Sequence, residues 1–128
     1  MNEKGFDMHL TNEANMLATQ YGQSLTPHGD FSMYHVVRRN GEVVEFNPTK
    51  IAVAITKAYI GVHGHNSMSS VGVREQVAQL TNMVILALQG RKPDGGSIHI
   101  EEIQDQVELA LMRSGEHEVA RAYVLYRE

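Results

Sequence analysis

Two adjacent arginines, Arg38 and Arg39, stand immediately before Asn40-Gly41, and Lys50 follows shortly after Asn47-Pro48. Cationic side chains so close in sequence suit the gripping of an anion with several oxygens, because charge-assisted hydrogen bonds to phosphate or carboxylate are strong. If Pro48 opens a helix, Lys50 lies in its first turn, where free N–H groups and the positive dipole end favour the same kind of ligand. Arg38, Arg39 and Lys50 together can therefore hold a polyphosphate. The same residues also fit a solvated turn in which Arg39 pairs with Glu42 for only about 0–1 kcal/mol. Strand alternation sends Arg38 and Arg39 to opposite faces, so one can face a ligand under the hairpin while the other makes that pair.

Other chemistry is less well supplied. Of the seven histidines, His63 and His65 in "HGHN" are the best pair for a metal, but they lack a fixed third partner and read as a solvated loop. His99 with Glu101 and Glu102 can be drawn as an acid–base cluster, although carboxylates in a helix's first turn need no catalytic purpose. Neither G-x-x-x-x-G-K-[ST] nor G-x-G-x-x-G occurs, which excludes a P-loop and a dinucleotide fold, and nothing positions a water for hydrolysis. The absence of cysteine excludes disulfides, thiolate zinc sites and thiol chemistry in this chain. A formal charge of −4 argues against a general nucleic-acid binder, so any phosphate recognition should be local.

These residues need elements to position them. The 128 residues suffice for one core. Residues 1–32 are polar and weakly patterned, and read as a mobile or loosely docked leader in which "TNEANMLATQYG" can form one short helix. The domain proper is expected over residues 33–128. Tyr34–Arg39 and Glu42–Phe46 should pair as strands about a two-residue turn at Asn40-Gly41. Asn47 then caps a helix with Pro48 at its first position, and Ile51, Ala54, Ile55, Ala58 and Tyr59 make one apolar face. "GVHGHNSMSS" is a linker, and a second helix is expected over residues 70–89, stopped by Gly90. Ile100, Ile103, Val107, Ala110 and Leu111 mark a third helix that ends at Ser114-Gly115. A fourth, opened by Val119, Ala122, Tyr123 and Tyr126, is still in stride at Glu128, as in a piece cut from a longer protein. The fold class is α+β, mainly α, with an N-terminal β-hairpin lid over a bundle of about four helices. With no signal-like N-terminus and no apolar run near the roughly 20 residues that cross a bilayer, a soluble, cytoplasmic protein is expected.

The stretch "VVRRNGEVVEFNPTKIAVAITKAY" resembles the start of an ATP-cone, the regulatory nucleotide-binding module of ribonucleotide reductases. Its Val, basic pair, Asn-Gly, Asn and Lys-Ile fall in the family's order. "GGSIHIEEIQDQVELALMRSGEHEVARAYVLYRE" is similar to the module's closing helices, so the resemblance covers about residues 34–128. Within the family the chain is most like the N-terminal cone of a bacterial class I large (alpha) subunit. It carries Arg38 where lysine is frequent, and Glu101 where some members have histidine.

The resemblance implies that Val36, Arg38, Arg39, Asn40 and Gly41 form a nucleotide-facing hairpin. Asn47, Lys50 and Ile51 would begin the first helix of the site, and Ser97, Ile100 and Glu101 would line it from the third. Val36, Ile51 and Ile100 would offer apolar surface to adenine, while the basic groups hold the phosphates with Mg²⁺. Some large-subunit cones hold two nucleotides, and Lys57, Arg121, Tyr123 and Tyr126 are the candidates for a second site. ATP or dATP is the implied allosteric ligand, ATP activating and dATP inhibiting through a change of oligomer state with other reductase subunits. Catalysis would belong to the rest of the parent enzyme, a ribonucleoside-diphosphate reductase, and this domain would touch neither nucleic acid nor membrane. The alternatives are a cone from a transcriptional repressor of reductase genes, and a degenerate cone acting as a protein-interaction module.

Overall fold

Asn47 begins the helix around which the domain is organised. Its side-chain oxygen accepts a hydrogen bond from the Thr49 amide at 3.0 Å, and Pro48 occupies the first turn, where a missing N–H costs nothing. The resulting α2 (Pro48–His63) presents Ile51, Ile55, Ala58 and Tyr59 to the core, all fully or nearly fully buried. The computed structural model describes residues 10–127, and in it α2 contacts three other long helices. These are α1 (Asn12–Ser24), α3 (Val71–Arg91) and α5 (His117–Arg127), while α4 (Ile100–Arg113) packs between α3 and α5. A short 3₁₀ turn, His65–Ser69, occupies the expected linker and buries Met68. Among the described residues no helix is long and apolar enough to cross a membrane.

Within the leader, the stretch that can form one short helix does so. Thr11 caps α1 by accepting from the Ala14 amide, and Ala14, Ala18 and Gly22, one every fourth residue, are buried against the rest of the domain. Their small size lets the backbones of α1 and α2 approach closely. A Cβ on Gly22 would fall 2.4 Å from Val53 Cγ2 and 2.9 Å from Val53 Cα, so glycine is the residue the contact requires. Residues 12–24 thus pack against α2, whereas residues 1–9 of the leader lie outside the described residues.

The hairpin forms, but with a different turn. Strands β1 (Tyr34–Val37) and β2 (Val43–Glu45) pair antiparallel with Val36 opposite Val44. The Arg38 amide donates to the Glu42 carbonyl and the Gly41 amide to the Arg38 carbonyl, each at 2.8 Å. The loop therefore holds three residues, Arg39 to Gly41, with Gly41 at φ 88°, and closes on Arg38 and Glu42 rather than Arg39 and Glu42. Asn40 supports it by accepting from the Glu42 amide through its side chain.

A third strand, β3 (Gly96–His99), runs parallel to β1 and completes a sheet of order β2-β1-β3. It had been hidden inside a segment that reads as a breaker. Gly95 and Gly96 both take positive φ, and a Cβ on Gly95 would lie 2.7 Å from the Met33 carbonyl oxygen, to which Gly96 donates. The glycines admit the chain beside β1, and Ile98 then buries next to Val36. Gly90 does not stop α3, which runs on to Arg91 and ends before Pro93, whose ring disfavours a helical Lys92. At the start of α4 the His99 amide donates to Glu102 Oε2 at 3.1 Å, which gives Glu102 a capping role.

Candidate functional site

Under the inner face of the sheet lies a cavity of about 300 Å³, closed by α2, α4 and α5. Its apolar walls are Val36 and Val44 from the strands, Ile51 and Ala54 from α2, and Ile100, Ile103 and Val107 from α4. Each helix contributes side chains one turn apart, so the periodicity that makes the core also makes the cavity. From α5 come Tyr123, Tyr126 and Arg127. The polar part is Arg38, Asn47, Lys50 and Gln104, with Glu45 and Phe46 at the edge shared with a second cavity. A volume of this size falls at the lower end of what holds a small organic ligand.

The charges are unevenly committed. Lys50 has no ion-pair partner among the described residues and lies in the first turn of α2, beside amides that favour an anion. Arg38 Nη1 is 3.4 Å from Glu42 Oε1, with both side chains more than half exposed, so the pair restrains it only weakly. Arg127 is fixed more firmly: its two terminal nitrogens donate to Asp105 and Glu108 at 3.3 Å each, and its side chain is 18% exposed. Its Nε is buried with no hydrogen-bond partner among the described residues. Burial pushes the Tyr123 phenol well above its usual range, so it stays a neutral O–H in the cavity wall.

Of the residues expected to hold a nucleotide, the cavity gathers Val36, Arg38, Asn47, Lys50, Ile51 and Ile100. Tyr123 and Tyr126, expected at a second site, line this same cavity. The others stand outside its lining. Arg39 turns towards α4, where its Nη2 donates to Gln104 Oε1 at 2.9 Å and its Nε is 3.5 Å from Glu101 Oε2. Asn40 and Gly41 shape the turn. Ser97 lies opposite His35 in the register and is exposed, on the face of the sheet away from Val36 and Ile98. Lys57 sets its Nζ 5.6 Å from the centre of the Tyr126 ring, and Arg121 is not among the lining residues.

Sequence reasoning missed Gln104 and Arg127. Gln104 sits one turn beyond Ile100, a spacing that carried the signal once Ile100 was placed in the site. Arg127 had no comparable signal, because its place depends on the angle between α4 and α5. His99, Glu101 and Glu102 are accounted for by capping and by ion pairs, Glu102 also lying 3.8 Å from Arg91. Among the described residues no group of three or more His, Asp or Glu is placed to hold a metal, and His63 packs its ring 6.2 Å from that of Tyr59.

A larger cavity of about 440 Å³ lies on the other side of Phe46 and Asn47, lined by Gln23, Thr26, Pro27, His28, Gly29, Phe31 and Ser32 together with the start of α2. Among the described residues no lysine or arginine lines it. It shares the start of α2 with the smaller cavity but adds no basic side chain beyond His28, so the smaller cavity, with Arg38 and Lys50, is the better candidate for a polyanion.

Known proteins share the sequence of this region. A model of the ATP cone domain matches residues 34–128. The chain is 43% identical over 94 residues to the ribonucleoside-diphosphate reductase subunit alpha of Chlamydia trachomatis serovar D, an alignment covering 73% of this chain and 9% of that protein. It is 38% identical over 98 residues to the vitamin B12-dependent ribonucleoside-diphosphate reductase of Thermoplasma acidophilum, covering 73% and 11%. With the subunit alpha of Treponema pallidum it shares 29% over 94 residues, again 73% and 11%. The chain thus spans about a tenth of the length of the relatives it matches. The matched region begins at β1 and takes in every residue lining the basic cavity, and the chain belongs to the ATP cone domain family.

Proposed function

We propose that the domain binds an adenine nucleotide in the basic cavity and acts as the overall-activity regulator of a ribonucleotide reductase large subunit. The observation that carries this reading is the meeting of Arg38 and Lys50, which has no ion-pair partner among the described residues, with an apolar chamber in a member of the ATP cone family. Val36, Ile51 and Ile100, with Tyr123 and Tyr126 facing them, supply surface for the base. Arg38, Lys50 and the first-turn amides of α2 supply the grip on the phosphates, and Mg²⁺ accompanies them. Asn47 and Gln104 are the neutral polar groups available to the sugar and the base edge. One chamber of this volume accommodates one nucleotide, with the α5 tyrosines as its wall rather than as part of a separate site.

On this reading ATP and dATP produce opposite outputs, and a ligand shifts a conformational equilibrium only through unequal affinity for the two states. The 2′-hydroxyl is sensed near the hairpin and the first turn of α2. Hairpin movement then exposes or hides a helical surface for another reductase subunit, and reduction of ribonucleoside diphosphates takes place elsewhere in the parent enzyme. Calorimetric titration of the domain with ATP, dATP and GTP in Mg²⁺ tests the binding step. The expected result is saturable binding of both adenine nucleotides at a ratio near one, with much weaker binding of GTP. No binding by the folded domain would contradict the sensor reading and favour a protein-interaction module; a ratio near two would place a second ligand outside this cavity.

A further inference from the structure

The acidic residues of α4 are not equivalent. Glu102 caps the helix, and Asp105 and Glu108 hold the mostly buried Arg127. Glu101 has Arg39 as its ion-pair partner, and at 54% and 53% exposure neither side chain is locked by packing. Arg39 stands one side chain from the cavity, since the Gln104 amide that accepts its hydrogen bond is part of the lining. A guanidinium beside an anion site is thus already occupied by an anion of the protein.

We propose that Glu101 is an internal competitor for the ligand's phosphates: its carboxylate holds Arg39 in the free domain, and a polyphosphate must displace it. This inference rests on the nucleotide reading above. An exposed carboxylate–guanidinium pair is weak enough to exchange, and phosphate oxygens offer the same fork geometry with more charge. A carboxylate left near the phosphates also repels them, over a distance that salt shortens. Glu101 therefore makes affinity depend on how much negative charge the ligand brings, and a ligand without phosphate leaves the pair untouched.

The test is calorimetric titration of the whole chain with MgATP and with adenosine at low ionic strength. Glu101→Gln is expected to bind MgATP about two- to fivefold more tightly, as loss of an exposed ion pair implies, with adenosine affinity unchanged. Glu101→Asp, which keeps the charge, should stay near wild type. In an Arg39→Ala background the gain from Glu101→Gln should shrink to the part due to direct repulsion, because the rest acts through the pair; an undiminished gain would overturn the proposal. Unchanged or weaker MgATP binding by Glu101→Gln, in a variant that melts like wild type, would overturn the proposal; weaker binding would mean that the carboxylate touches the ligand or its metal. Failure of the wild-type chain to bind MgATP would instead overturn the nucleotide reading and this proposal with it.

Discussion

The two cavities that meet at Phe46 and Asn47 share an edge but not a chemistry. The larger one is built from the polar loop after α1 and the start of α2 and has no lysine or arginine among its described lining residues, while the smaller has an apolar interior with Arg38 and Lys50 among the residues around it. Volume alone would choose the chamber without a lysine or arginine among its described lining residues. Charge that is present and uncommitted, beside surface that favours a base, chooses the other. The contrast also separates two parts of α2: its amino-terminal turn lines the basic cavity, and its middle serves the core through Ile55, Ala58 and Tyr59.

The largest effect should come from removing that charge. Arg38→Ala with Lys50→Ala is expected to weaken ATP binding by more than about 100-fold, from two charge-assisted hydrogen bonds worth about 1.5–3 kcal/mol each. Both side chains are exposed, so the melting temperature should change little, as calorimetry and thermal denaturation on one sample would show. In the larger cavity, His28→Ala should leave ATP affinity within about twofold. An equal loss from His28→Ala would break the distinction between the chambers.

Gly22→Ala sharpens the contrast from the other side. The added methyl meets Val53, so overpacking is expected to destabilise the domain by about 1–3 kcal/mol, measured by denaturant unfolding. ATP affinity of the folded fraction should fall far less, because α1 contributes no residue to the basic cavity. Tyr126→Ala should have a smaller effect, weakening ATP binding by about three- to tenfold through loss of an aromatic wall and of its contact with Lys57.

Much of this arrangement was legible before any coordinates. Asn47-Pro48 gave the start of α2, and the spacing of Ile51, Ile55, Ala58 and Tyr59 gave its buried face, because capping and periodicity are local properties. Residue types and the family's order mark Val36, Arg38, Lys50, Ile51 and Ile100 as candidates, and all five line one cavity. What stayed hidden depends on distant partners. Four residues at Gly96–His99 become a strand only because β1 lies beside them. A two-residue turn would pair Arg39 with Glu42, but the three-residue loop pairs Arg38 with Glu42 and turns Arg39 towards Glu101 and Gln104. The docking of α1 escaped notice because alanine and glycine at every fourth position make a weak apolar stripe yet a close helix contact.

The smallest predicted effect is on alkaline stability. Burial raises the phenols of Tyr59 and Tyr123 above their usual range, and Tyr59 also donates a hydrogen bond to Glu116. A tyrosine in the unfolded chain loses its proton near pH 10. Above that pH the unfolded state binds fewer protons than the folded one, so stability present at lower pH falls as pH rises. Melting temperatures recorded from pH 8 to 11 should decline at the upper end, and Tyr123→Phe should shallow that decline without altering the behaviour near neutrality.

Methyl NMR of the domain as MgATP is added tests the choice of chamber most directly. Saturable shifts of the Ile51, Ile100, Ile103 and Val107 methyls, with the Thr26 methyl of the larger cavity unmoved, are the predicted result. Shifts confined to Thr26 and its neighbours, with the isoleucines silent, would contradict the account.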